Sequence, residues 1–141
     1  KSWFSLLLRF NRKLGERIGF AFQVRDDLLD ALGVKGRGAA GADLREGKPT
    51  WPILAALQAG PPDEAARLQA LLHRAAEGGQ VTDEEVARWT GWVERHGGVE
   101  LARLAVEDAL AQAAVHANAA YDAAAASIVH HFCARLARLD G

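Results

Sequence analysis

From Val99 to Leu139 the chain contains neither glycine nor proline, and alanine dominates the run. Nothing in it breaks a helix, and β-branched residues that favour a strand are few. The alternation of apolar and polar residues that marks a half-buried strand is absent along the whole chain. Such a sequence folds as helices, and its glycines and prolines mark where they stop. The expected fold class is all-α. One helix over 99–139 would be unusually long for a domain, so a break is expected near Asn118–Asp122.

Upstream, apolar residues recur at helical spacing in a first segment, 3–32, at Leu7, Leu14, Ile18, Phe22, Leu28, Leu29 and Leu32. Gly33 then stands where a helix C-cap prefers glycine. Residues 33–49 hold Gly33, Gly36, Gly38, Gly41, Gly47 and Pro49, which reads as a long loop. Loops of that length in compact domains are often functional. A short helix is expected from Trp51 to Leu57, with Thr50 as its N-cap and Pro52 in its first turn. Gly60-Pro61-Pro62 breaks it, and a helix follows from Asp63 to Ala76. Thr82-Asp83-Glu84-Glu85 has the spacing of a capping box and opens a helix to about His96, which Gly97-Gly98 closes. The total is about six helices and one conspicuous loop, with no internal repeat.

Composition excludes several classes. Lys plus Arg total 17 and Asp plus Glu 18, a net charge of −1. A nucleic-acid binder would usually carry a basic excess. Cys133 is the only cysteine, so neither an intramolecular disulfide nor a cysteine-based zinc site is available. No apolar run approaches the roughly 18 residues of a membrane span, and Trp3 to Leu8 is too short for a signal peptide. A cytoplasmic protein is expected. No Met occurs, not even at position 1, which reads as a piece of a longer chain.

The sharpest feature is Phe22-Gln23-Val24-Arg25-Asp26-Asp27-Leu28-Leu29-Asp30. On a helix, the spacing from Asp26 and Asp27 to Asp30 puts the carboxylates on one face, with Gln23 and Gly19 on successive turns before them. These acids sit near the C-terminal end of their helix, where the dipole opposes negative charge. No Lys or Arg follows any of them at i+3 or i+4. Hard divalent cations with oxygen ligands suit such a cluster, and Mg²⁺ is typically held by one or two carboxylates plus substrate phosphates. The bland alternative is a solvated acidic patch. The next segment places Lys35, Arg37, Arg45 and Lys48 within reach of the acids. Its Gly36-Arg37-Gly38-Ala39-Ala40-Gly41 matches a dinucleotide-binding pattern literally, but no strand precedes it, so that meaning is rejected. Carboxylates facing cations across flexible backbone N–H donors suit a metal–diphosphate complex, and the bland alternative is an ordinary linker with solvated charges.

Two blocks in this order resemble a known family. Gly19-Phe20-Ala21-Phe22-Gln23-Val24-Arg25-Asp26-Asp27-Leu28-Leu29-Asp30, followed by Gly41-Ala42-Asp43-Leu44-Arg45-Glu46-Gly47-Lys48-Pro49-Thr50-Trp51-Pro52, is similar to the second aspartate-rich region of the trans-prenyltransferases, the polyprenyl diphosphate synthases. The resemblance covers about residues 14–58. It implies an isoprenoid-synthase helical bundle, usually dimeric. It also implies elongation of an allylic diphosphate by isopentenyl diphosphate, with Mg²⁺ as cofactor. Asp26, Asp27 and Asp30 would be the catalytic metal-site residues. Gln23, Lys35, Arg37 and Lys48 would bind diphosphate. The family's lysine after the aspartate motif is replaced by Lys35 or by Arg37. The family's first aspartate-rich motif has no counterpart, since no other Asp-Asp pair occurs. The chain therefore reads as the C-terminal portion of one helical domain, 1–141, of a prenyltransferase. A non-catalytic, prenyl-diphosphate-binding relative or regulatory subunit is the alternative.

Other residues carry less. The five histidines form no H-x-x-x-H pair and read as structural or surface groups. Cys133 lies in an apolar pattern and reads as core, and Trp3, Trp51, Trp89 and Trp92 as packing anchors. Leu101, Leu104, Ala105, Ala109 and Ala113 suit close helix packing, possible across a homodimer.

Overall fold

The structure, a computed structural model, describes residues 2–33 and 41–138, with side chains from residue 12 onward. The described residues form seven helices and no strand: α1 (Ser2–Ala31), α2 (Ala42–Glu46), α3 (Trp51–Ala59), α4 (Pro62–Ala76), α5 (Asp83–Arg95), α6 (Gly98–Ala120) and α7 (Ala123–Leu136). The all-α expectation holds. The short α2 inside the glycine-rich stretch is an addition. Its five residues are too few to leave a helical periodicity, and it lies between Gly41 and Gly47, both left-handed, with φ of 95° and 71°.

Local chemistry sets the other boundaries. Both halves of the α5 capping box form: the Glu85 N–H donates to Thr82 Oγ1 at 3.1 Å and the Thr82 N–H to Glu85 Oε1 at 3.1 Å. The expected break in 99–139 falls at Tyr121–Asp122, where Asp122 accepts from the Ala125 N–H at 2.8 Å and caps α7. Gly98 opens α6 where the sequence suggested a stop. A Cβ there would lie 2.3 Å from the Pro52 carbonyl oxygen and 2.7 Å from Val93 Cγ1. Close approach of backbone to backbone, not chain termination, requires this glycine.

The chain divides into two compact units, with boundaries inside α1 after Arg25 and inside α6 after Arg103. One unit contains α1 up to Arg25, α6 from Leu104, and α7. Arg17 Nη1 donates to the Gln112 carbonyl at 3.4 Å and Arg25 Nε to the Arg138 carbonyl at 3.0 Å. Its buried side chains mix small residues, among them Ala109, Ala113, Ala117 and Cys133, with Leu14, Val24, Leu110 and Leu136. The buried stripe of α6 is Ala102, Val106, Ala109, Ala113 and Ala117, while Leu101 and Leu104 are 40% and 49% exposed. Ala109 and Ala113 of the expected packing set are thus buried.

The other unit runs from Asp26 to Arg103. Leu44, Ile53, Leu68, Leu72, Val86, Trp89, Trp92 and Val93 build its core. Trp89 and Trp92 meet edge to face with centroids 5.5 Å apart, a favourable arrangement for aromatic pairs. Trp92 Nε1 donates to Glu64 Oε2 at 2.6 Å, so its polar edge is satisfied on burial. Both act as packing anchors, as expected, and Cys133 and His116 are buried.

Thr82→Ala removes the bond that Thr82 Oγ1 accepts from the Glu85 N–H and keeps the backbone N–H that donates to Glu85 Oε1, and a loss of about 1 kcal/mol is expected. Gly98→Ala, which drives a Cβ into the Pro52 carbonyl, is expected to cost more, roughly 1–3 kcal/mol. Urea unfolding midpoints measured at an unchanged m-value check both values and their order.

Candidate functional site

Asp26, Asp27 and Asp30 lie in the last turns of α1, all within the second unit. Asp26 and Asp27 are half-buried, and Asp30 is 9% exposed. Two of these carboxylates hold the start of a downstream helix. Asp30 Oδ2 accepts the Asp43 N–H of α2 at 3.3 Å, and Asp27 Oδ2 accepts the Trp51 N–H of α3 at 3.2 Å. Thr50 occupies the expected cap position of α3, but its side chain makes no capping bond. The acceptor comes instead from α1. A carboxylate at a helix N-terminus is favourable, so α3 offsets part of the unfavourable field that Asp27 meets at its own helix end.

These bonds bring a further carboxylate to the site, Asp43, to which the sequence analysis gave no role. Its side chain is 15% exposed. Burial and, after it, the Asp30 carboxylate with which it shares a hydrogen bond push its pKa from 3.8 up to about 6, with Asp27 adding and Lys48 opposing. Lys48 Nζ lies 3.9 Å from Asp43 Oδ1 and 2.9 Å from Glu46 Oε2. It thus neighbours the cluster through Asp43, while its pKa is raised chiefly by Glu46. The Gly-x-Asp of the second sequence block was the signal for Asp43.

The remaining cations are disposed differently. Arg45 donates to the Val81 carbonyl at 3.0 Å and pairs with Asp83 at the start of α5, so its charge serves the packing of α2 on α5. It does not face the acids as the sequence suggested. Lys35 and Arg37 lie outside the described residues, as does the glycine pattern around them. Gln23 is exposed on the part of α1 that belongs to the other unit.

A pocket of about 40 Å³ opens at the cluster, lined by Asp27, Asp30, Asp43, Gly41, Thr90 and Glu94 among others. It has room for an ion or a few waters, not for a prenyl chain. Gly41 closes one side with φ of 95°, and a Cβ on it would lie 2.5 Å from Val86 Cγ1. Both its conformation and its contact with α5 require glycine. The donors fit Mg²⁺ in kind, being hard carboxylate oxygens. Among the described residues no three acids or histidines already surround one point as a metal cage. That is compatible with an ion whose remaining ligands are water and phosphate.

The sequence model of the polyprenyl synthetase family matches residues 8–88. The chain belongs to that family. Over 62 residues it is 42% identical to octaprenyl diphosphate synthase of Escherichia coli (strain K12), covering 43% of this chain and 19% of that protein. Over 78 residues it is 40% identical to nonaprenyl diphosphate synthase of Mycobacterium tuberculosis (strain ATCC 25618 / H37Rv), covering 54% of this chain and 22% of that protein. The crystal structure of geranylgeranyl pyrophosphate synthase from Bacteroides thetaiotaomicron superposes with a TM-score of 0.77 at 28% identity. That superposition covers 92% of this chain and 41% of the other. The chain thus spans well under half the length of its relatives. The family resemblance and the isoprenoid-synthase fold drawn from the two sequence blocks are both borne out.

Asp43 provides a test of the cluster's electrostatics. Its folded pKa of about 6 lies above the ordinary 3.8. The folded state therefore binds the proton more tightly, and stability falls as pH rises from about 4 to 6, then levels. In metal-free protein, Asp43→Asn is expected to melt higher than the parent above pH 6. The gain should vanish towards pH 4. Thermal melts across that range, read by circular dichroism, check the sign.

Proposed function

We propose that this chain is the C-terminal, metal-binding portion of a Mg²⁺-dependent polyprenyl diphosphate synthase. The reaction condenses isopentenyl diphosphate with an allylic diphosphate. The observation that carries this reading is the convergence of Asp27, Asp30 and Asp43 on one pocket, in a chain that belongs to the polyprenyl synthetase family. The curated relatives it matches are themselves named octaprenyl and nonaprenyl diphosphate synthases.

In this reading Asp26, Asp27 and Asp30 present oxygens to Mg²⁺. Bound there, the ion neutralises charge developing on the departing diphosphate. Asp27 and Asp30 are held in place by the N–H groups they accept from α3 and α2. The Lys48 ammonium, 3.9 Å from Asp43, adds positive charge at the rim. For Gln23, Lys35 and Arg37 the diphosphate-binding role is the one that the family resemblance implies. The allylic C–O bond breaks, the isopentenyl double bond attacks the resulting carbocation, and a proton is lost from the new chain. The same reading makes the protein a cytoplasmic homodimer.

The test is incubation of the full-length gene product with Mg²⁺, isopentenyl diphosphate and an allylic diphosphate. A longer polyprenyl diphosphate is expected, and Asp26→Ala should lower turnover about 10²–10³-fold. No elongation, or undiminished activity in Asp26→Ala, would overturn the reading. Binding of Mg²⁺ and diphosphate without turnover would point instead to a non-catalytic relative.

A further inference from the structure

Thr90, on α5, has an unusual position. Its Oγ1 is buried and forms no hydrogen bond with any described residue. Buried hydroxyls almost always have a partner. Thr90 also lines the pocket shared by Asp27, Asp30, Asp43 and Glu94. Across from it is the Gly41 backbone, so near that a Cβ on Gly41 would lie 3.1 Å from Thr90 Oγ1. A valine would fill the same volume without the polar atom. Packing therefore does not account for the hydroxyl.

The pocket supplies what the hydroxyl lacks. Its lining is mainly apolar, with Leu44, Ile53 and Val93 among it, so the polar partners it offers are its carboxylates, which accept hydrogen bonds, and it holds water-sized groups. A water bridging a hydroxyl and a carboxylate finds the two or more polar partners that buried water needs. We propose that Thr90 is a positioning residue of the acidic site, anchoring the Asp30 and Asp43 carboxylates through one water in the pocket, in the orientation that receives a divalent cation with its diphosphate. The assignment rests on the reading of this site as a metal–diphosphate site. Thr90 touches neither ion nor substrate, and acts by limiting how the acids can turn. Groups that orient metal ligands in this way typically change metal affinity by about 10–100-fold when removed.

The experiment compares the parent protein with Thr90→Val and Thr90→Ser. Mn²⁺ in the presence of inorganic diphosphate is titrated by electron paramagnetic resonance, and metal-free melting temperatures are recorded alongside. Thr90→Val is expected to weaken Mn²⁺ binding about tenfold, with no rise in melting temperature. Thr90→Ser should bind within about twofold of the parent, since it keeps the hydroxyl. A Thr90→Val protein that melts higher than the parent would show that the hydroxyl has no bridging partner, and would overturn the proposal without any metal measurement. Parent-like Mn²⁺ binding by Thr90→Val, or equal weakening in both variants, would overturn it too, the latter by assigning the effect to packing. Should Thr90→Val not fold, weakened Mn²⁺ binding by Thr90→Ser would overturn the proposal and parent-like binding would support it. If the parent itself binds no Mn²⁺ with diphosphate, the metal-site reading fails, and the assignment of Thr90 fails with it.

Discussion

Asp27 and Asp30 each commit one carboxylate oxygen to a backbone N–H from further along the chain, Trp51 and Asp43 respectively. These two bonds tie the end of α1 to the starts of α3 and α2. They fix where α2 and α3 begin beside the end of α1, and so which of their side chains can meet the acids. A hydrogen bond to a charged acceptor contributes about 1.5–3 kcal/mol net, enough to define a loop return in a domain of ordinary, marginal stability. The residues singled out for chemistry are also the residues that organise the local fold. Any substitution among them alters both at once.

The return imposes a cost in charge. Bringing Asp43 beside Asp30 places two carboxylates in a half-buried site, where burial first and then repulsion from Asp30 raise the pKa of Asp43. A surface patch would dissipate such repulsion in water. Here Gly41 seats closely on Val86 and Thr90 of α5 beside the acids, and Asp43 is largely buried. The repulsion between Asp43 and Asp30 is therefore carried within the folded site. A divalent cation would reverse its sign, turning mutual repulsion into shared attraction.

Much of this was legible in the sequence, for identifiable reasons. The long helices follow from periodicity and from glycine or proline punctuation, and α5 and α7 begin at side chains whose capping chemistry is local. The break before α7 was expected because an uninterrupted helix over 99–139 would be implausibly long; it falls at Asp122, whose side chain caps the next helix. What was not legible depends on contacts between distant residues. Thr50 has the right composition for a cap, yet Asp27, far away in sequence, supplies the acceptor. Arg45 looks like a cation for the acids, yet Asp83 claims it. Gly98 reads as a stop and proves to be a point of close packing against Pro52. Lys35 and Arg37 lie outside the described residues, so the choice between them rests on the resemblance alone.

The balanced net charge of −1 takes on a different meaning beside this geometry. Some of the charges pair along the surface, as in Arg74 with Glu85 and Arg67 with Asp63. Exposed pairs of that kind contribute little to stability. At the pocket the balance fails: three aspartates and Glu94 line it, and Lys48 stands at 3.9 Å from Asp43 while lying closer to Glu46. A local excess of negative charge, held by backbone bonds that survive only while the fold does, is a poor way to stabilise a domain. It is an effective way to hold a cation whose other ligands arrive with a diphosphate, because the ion then neutralises protein and substrate together.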